Sequence, residues 1–263
     1  MAHPQYVKKY VTKYKNLFTP VSAPVSSTTP AYPVAESSDG LNFEAVKAHL
    51  TATVAGLQSE APRGAWFFGM ACSFLDVLSW GAFYDKIVVR DKKKMSVWKK
   101  IRSFFSKNVQ CITTMDDYVK FLKKYFFVAN PRYATCYSNL TGSSSDKFAR
   151  KIYQTLRCGV LHSFSMKQSM DSWDKGYSIL LARYCDFKDS ANHHLEIVDL
   201  FMDDTGNSIE SVIFVAEEMA KDIEKCVNHL IKLAESTEPQ LKQNFIDLYK
   251  NKPPLGFLDI DLV

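Results

Sequence analysis

No C-x-x-C pair and no Cys/His cluster at zinc-ligand spacing occurs in this chain, and its six cysteines (Cys72, Cys111, Cys136, Cys158, Cys185 and Cys226) are scattered. That excludes a zinc ribbon or a disulfide scaffold; most of the thiols sit inside apolar patterns and read as buried and free in a reducing cytoplasm. G-x-x-x-x-G-K-[ST], G-x-S-x-G and H-E-x-x-H are missing too, which removes P-loop, α/β-hydrolase and zincin chemistry. The start, MAHPQYVKKYVTKYK, has no apolar h-region, so a secretory leader is not expected and the sequon at Asn139-Leu140-Thr141 carries no meaning. Neither sign of charge dominates. A net charge of +5 and a pI near 8.7 permit an anionic partner without demanding one. His193-His194 has no acidic or cysteine partner at ligand spacing, and the pair reads as surface-exposed at a strand start.

What is present is a 263-residue chain with 46% hydrophobic and 23% charged residues, enough for a sizeable core. Residues 1–40 read as a flexible basic, Pro/Ser-rich tail: Lys8, Lys9, Lys13 and Lys15 precede VSAPVSSTTPAYPVAESSDG. Asp39 is a candidate N-cap for a helix from Leu41 to about Gln58, with Phe43, Val46, Leu50, Val54 and Leu57 on one face. Pro62 opens a second helix, AWFFGMACSFLDVLSWGAFYDKIV, apolar nearly all round. Asp76 at its middle, glycines at 64, 69 and 81, and charge on one flank only favour a central core helix over a membrane span. A carboxylate there requires a cation or donors. Residues 86–107 carry the densest basic run, Lys92, Lys93 and Lys94 preceding SVWKKIRSFFSK, where Trp98 could stack a base while the lysines hold phosphates. The plainer account is an amphipathic helix with a solvated face. A helix capped at Thr114 runs to Asn130-Pro131, and GSSSD at 142–146 leads into the next. YSILLARYCDF and HHLEIVDLFM predict an antiparallel hairpin over about 177–202, and a long helix is predicted from near Ser208 to about Glu235. Residues 236–263 hold a last helix and a tail.

The stretch around which these elements are arranged is Lys151 to Lys167. Phe148, Ile152 and Leu156 recur at four-residue spacing and, with Tyr153 and Val160, mark one apolar face, which Arg157 and His162 interrupt. YQTLRCGVLHSFSMK, preceded by GAWFFGMACSFLDVLSW and followed by a hairpin and a long helix, resembles the HEPN (higher eukaryotes and prokaryotes nucleotide-binding) superfamily. Its members are helical bundles whose signature is Arg, four to six residues, then His. The resemblance in organisation covers residues 41–235. It departs at Cys158, since the position after the Arg is often polar in the nuclease members.

The resemblance implies a mainly α fold, an HEPN-like bundle with a β-hairpin before the last long helix, and a metal-independent endoribonuclease of defence or toxin type. Arg157 and His162 would be its catalytic pair, with no metal or cofactor. The chemistry suits those residue types. A base near pH 7 must take the 2′-hydroxyl proton, and imidazole, with an ordinary pKa of ~6.5, is such a base. A permanently charged guanidinium can fork onto two oxygens of the phosphorane. Lys92, Lys93, Lys94, Trp98 and Lys167 are the candidate RNA-binding residues, with Asp76 and Ser163 supporting the pair. On an α-helix positions five apart differ by about 140°, and family members meet across a dimer interface, so a homodimer is the expected assembly. A toxin role leaves room for a neutralising protein partner; no membrane is expected. Two other readings fit the same residues. One is a non-catalytic helical module binding a nucleotide, RNA or protein. The other is a structural core in which Arg157 pairs with Asp76 and His162 caps a helix end.

Overall fold

Capping and breaking residues set most of the helix limits in the computed structural model, which describes residues 42–88, 114–160, 177–186, 188–202 and 208–251. Helix α1 (Phe43–Glu60) starts where Asn42 Oδ1 accepts the Ala45 N–H at 3.0 Å. Asn42, not Asp39, is therefore the cap: its carboxamide reaches the open amides of the first turn. A 3-10 turn at Ala61–Arg63 and Gly64, at φ 71°, separate α1 from α2 (Ala65–Ala82). Pro62 thus opens the turn and not the helix itself.

Helix α3 (Met115–Phe121) begins with reciprocal bonds in which Thr114 Oγ1 accepts the Asp117 N–H and Asp117 Oδ2 accepts the Thr114 N–H. It continues through a π-helical stretch, Leu122–Phe126, and Phe127–Ala129, and stops at Asn130-Pro131 as predicted. Helix α4 (Arg132–Asn139) follows at once. Helix α5 (Ser145–Ile152), capped by Ser144, continues without a break into a π-helical stretch, Tyr153–Val160.

The fold is mainly helical, with a small sheet placed before the long helix. Its strands are β1 (Tyr177–Ala182), β2 (Ile197–Met202) and β3 (Ser208–Val215), in the order β1-β3-β2. An antiparallel hairpin is present, but β2 and β3 make it; β1 lies on the far side of β3 and runs parallel to it. The predicted pairing of the 177 and 197 segments is thereby corrected, as is the predicted helix start at Ser208. Ser208–Val215 alternates instead: Val212 and Phe214 enter the helical core, while Ile213 and Val215 join Ala182, Leu180 and Val198 on the opposite face. Its β-branched residues suit that half-buried surface. Helix α6 (Ala216–Ser236) starts directly after it, with Glu217 and Glu218 in the first turn near the positive end of the helix dipole.

A single large core joins these parts. Phe67, Phe68 and Leu75 of α2 meet Tyr118, Phe121 and Phe126 of α3, Phe148 of α5, Phe214 of β3 and Phe245 of α7 (Pro239–Asn251), all 3% exposed or less. Helix α2 is thus a core helix, and among the described residues no helix is long and apolar enough to cross a membrane. The 1–40 tail, the basic run beyond residue 88 and the last twelve residues lie outside the described residues.

Candidate functional site

Helix α5 delivers the Arg157 region to the centre of the bundle. Ser144 Oγ accepts the Lys147 N–H at 3.3 Å, and Phe148, Ile152 and Leu156 are buried along one stripe, as their spacing predicts. Tyr153 packs edge-on against Tyr118, with ring centroids 5.1 Å apart. The apolar helix α2 lies along the Tyr153–Val160 stretch, and Asp76, half-buried, sits at the middle of α2. Lys151 introduces the stretch with its Nζ 5.7 Å from the centre of the Tyr177 ring, and burial pushes its ammonium pKa down.

Arg157 belongs to the π-helical stretch, where the chain is wound more loosely than in an α-helix and backbone bonds run from i to i+5. Residues five apart then lie nearly over one another. His162, Ser163, Lys167, Lys92, Lys93, Lys94 and Trp98 lie outside the described residues, as does the side chain of Arg157.

A second constellation is built from residues that the sequence analysis did not single out as a site. His194 is buried and not surface-exposed. Its Nδ1 accepts the Val215 N–H at 2.9 Å, and its Nε2 lies 3.2 Å from Asp222 Oδ2. Since a backbone N–H can only donate, Nδ1 carries no proton. The imidazole is the Nε2–H tautomer donating to Asp222. Arg132 Nη2 donates to the other oxygen of Asp222 at 2.6 Å and also reaches Glu218. Glu218 accepts from Tyr184 Oη and from Lys221 Nζ, the latter at 2.7 Å, which carries the network to the surface.

The charges settle accordingly. Burial works to raise the Asp222 carboxyl, but the His194 N–H and the Arg132 guanidinium outweigh it and hold it below the usual carboxylate range. Burial likewise opposes Glu218, which Lys221 and Tyr184 nonetheless bring down to about 2. Burial pushes His194 below the ordinary imidazole value against the pull of Asp222. One local sign of this cluster was available: Asp222 falls between Met219 and Cys226 on the buried stripe of α6. A carboxylate there requires partners, though nothing in the sequence indicates that they come from residues 132 and 194.

His193 is half-buried and bonded to Glu196. Among the described residues no group of three or more His, Cys, Asp or Glu side chains is placed to hold a metal ion. Compared with known family models, curated proteins and solved structures, the chain matches none.

Proposed function

We propose that the chain is a metal-independent endoribonuclease in which Arg157 and His162 act on one phosphodiester. The observation carrying this reading is the π-helical winding of Tyr153–Val160. That winding holds Arg157, and the proposal carries it two residues further, to His162: in an α-helix the Arg-x4-His spacing would point the two side chains to different sides, whereas i to i+5 winding returns that spacing to nearly the same side. Such stretches are rare and recur at functional sites. Helix α2 forms a rigid apolar support behind this stretch.

In this chemistry His162 takes the proton of a 2′-hydroxyl, and the 2′-oxygen attacks the adjacent phosphorus. Arg157 meets the charge gathering on the non-bridging oxygens. The 5′-oxygen then departs with a proton, leaving a 2′,3′-cyclic phosphate. In a two-fold pair of copies, two His162 side chains are available, one to accept and one to donate a proton. RNA is the substrate under this reading, and the homodimer is the active form.

The test is cleavage of a structured RNA in EDTA by the full chain. His162→Ala is expected to lower the rate by ~10²–10⁴-fold with unchanged circular dichroism, and Arg157→Ala to impair turnover similarly. Cleavage that survives His162→Ala, or that appears only with Mg²⁺, overturns the proposal. RNA that is bound but left intact by the wild type would assign the chain to the binding-module class instead.

A further inference from the structure

The buried imidazole of His194 joins three separate parts of the chain. Its Nδ1 accepts the N–H of Val215, the last residue of β3 and the cap position of α6. No side chain caps α6, so among the described residues His194 is the side-chain partner of that amide. On its other edge, Nε2–H donates to Asp222, about two turns into the same helix.

His194 therefore clamps the strand-to-helix junction. The turn that carries it is pressed against β3: the Leu195 N–H donates to Ile213 O at 2.7 Å and the Ile213 N–H to Glu196 O at 3.0 Å. Within this turn Leu195 has φ 66°, a left-handed conformation that its Cβ opposes. Strain of that kind persists only while surrounding contacts enforce it.

We propose that His194 is an acid-operated latch: a proton taken up at Nδ1 expels the Val215 amide and releases the strained 193–196 turn from the β3–α6 junction. Two N–H groups cannot share the 2.9 Å separation now spanned by one donor and one lone pair. Asp222 and Glu218 favour the added charge, but burial and the Arg132 cation, 2.6 Å from Asp222, outweigh them.

The groups around the ring allow the proton no easier route. From α6 come Asp222, Glu218 and Lys225, the last 3.5 Å from Asp222, with the buried thiol of Cys226 beside it. From α4 come Arg132, Tyr133, whose hydroxyl is 3.5 Å from Nε2, and the buried Cys136. Burial raises the Tyr133 phenol and both thiols above their ordinary values, so none of them changes charge in weak acid. Within the turn, His193 is tied to Glu196 at the half-exposed surface. Phe214, edge-on to the ring at 5.7 Å, closes the β3 side with an apolar wall.

The latch sign follows from linkage. The opened turn takes a proton at the ordinary value of 6.5 and the closed one only at lower pH, so opening grows as pH falls below 6.5. The growth is up to ~tenfold per pH unit until the closed form also protonates.

Hydrogen exchange of the full chain tests this, read as protection factors so that the pH dependence of intrinsic exchange is removed. Between pH 7.5 and 5 the protection of the Val215 amide is expected to fall by up to ~tenfold per unit below 6.5, while that of Leu50 in α1 stays level. His194→Asn, whose amide oxygen can take the place of Nδ1 without titrating, should leave the Val215 profile flat. Nitrogen chemical shifts of the His194 ring in the wild type give a second readout that needs no variant: Nδ1 unprotonated at pH 7 and a titration midpoint below 6.5. A level Val215 profile in the wild type, an equal fall in His194→Asn, or a ring that titrates at or above 6.5 overturns the latch.

Discussion

Gly81 offers a case in which local propensity and packing predict opposite signs for one substitution. It lies in the last turn of α2, and a Cβ built on it would stand 2.2 Å from Cε1 of Phe245 and 2.4 Å from Cδ1. Carbon atoms pack best at about 3.5–4.0 Å, so the ring would have to retreat by roughly 1.3–1.8 Å. Phe245 is 1% exposed, in the core where α7 packs against α2. Overpacking of a filled core costs about 1–3 kcal/mol and occasionally more. The opposing gain is about 1 kcal/mol, because alanine is the better helix former. The required retreat places the steric cost at or above the top of its range, so Gly81→Ala should destabilise by about 2 kcal/mol net. For a chain of this size that lowers Tm by roughly 4–8 °C. Urea unfolding gives the energy directly, and combining the change with Phe245→Leu should recover part of the loss. Were Gly81→Ala neutral or stabilising, propensity alone would be governing and the close approach of α2 and α7 would be refuted.

Other consequences can be measured by the same means. Asp222→Ala leaves the His194 N–H without its carboxylate and the Arg132 guanidinium with Glu218 alone, in a site where Asp222 is 0% exposed, and should cost about 3–5 kcal/mol; a loss under about 1 kcal/mol in urea unfolding would show that the network contributes little. Thr114→Ala removes one half of a reciprocal cap and should cost about 0.5–2 kcal/mol. Asp117→Ala added to it should then cost less than the sum of the two single changes, because they share one pair of bonds. Glu218, with its folded carboxyl at about 2 against an ordinary 4.5, contributes stability that is complete above 4.5 and lost as pH falls from there toward 2. Wild type and Glu218→Gln should therefore converge in urea midpoint over that window, and parallel midpoints would refute the pairing with Lys221 and Tyr184.

Helix faces and several helix ends were legible because their signals are local. Phe43, Val46, Leu50, Val54 and Leu57 share a face by spacing alone, and all five are 5% exposed or less. Thr114, Asn130-Pro131 and Ser144 act within a turn of their own positions. Ser208–Val215 misled for a reason of the same kind. Ile209, Val212, Ile213 and Ala216 satisfy a helical spacing, while Ile213 and Val215 alternate with Val212 and Phe214 on the other face. Helix and strand thus compete on equal local terms. What decides is β1, which pairs with β3 in parallel across more than thirty residues of chain, and no local window contains that partner.

The two polar constellations differ in the same way. Arg157 and His162 are neighbours in sequence, so their spacing can be read directly, yet what the spacing means depends on how the backbone is wound. On an α-helix, five residues make nearly one and a half turns, and the pair is split between faces. With i to i+5 winding, five residues make little more than one turn, and positions so separated lie almost over each other. The π-helical Tyr153–Val160 carries Arg157, so the proposed reading of the Arg-x4-His pattern rests on the winding of the chain and not on its residues alone. His194, Asp222 and Arg132 pose the reverse problem. Their geometry is unambiguous once assembled, but the three come from separate segments, and the local sign is a carboxylate on the apolar stripe of α6. A buried charge of this sort states that donors exist and leaves their identity to the fold. A motif is thus read from spacing plus winding, and a buried network from burial plus partners.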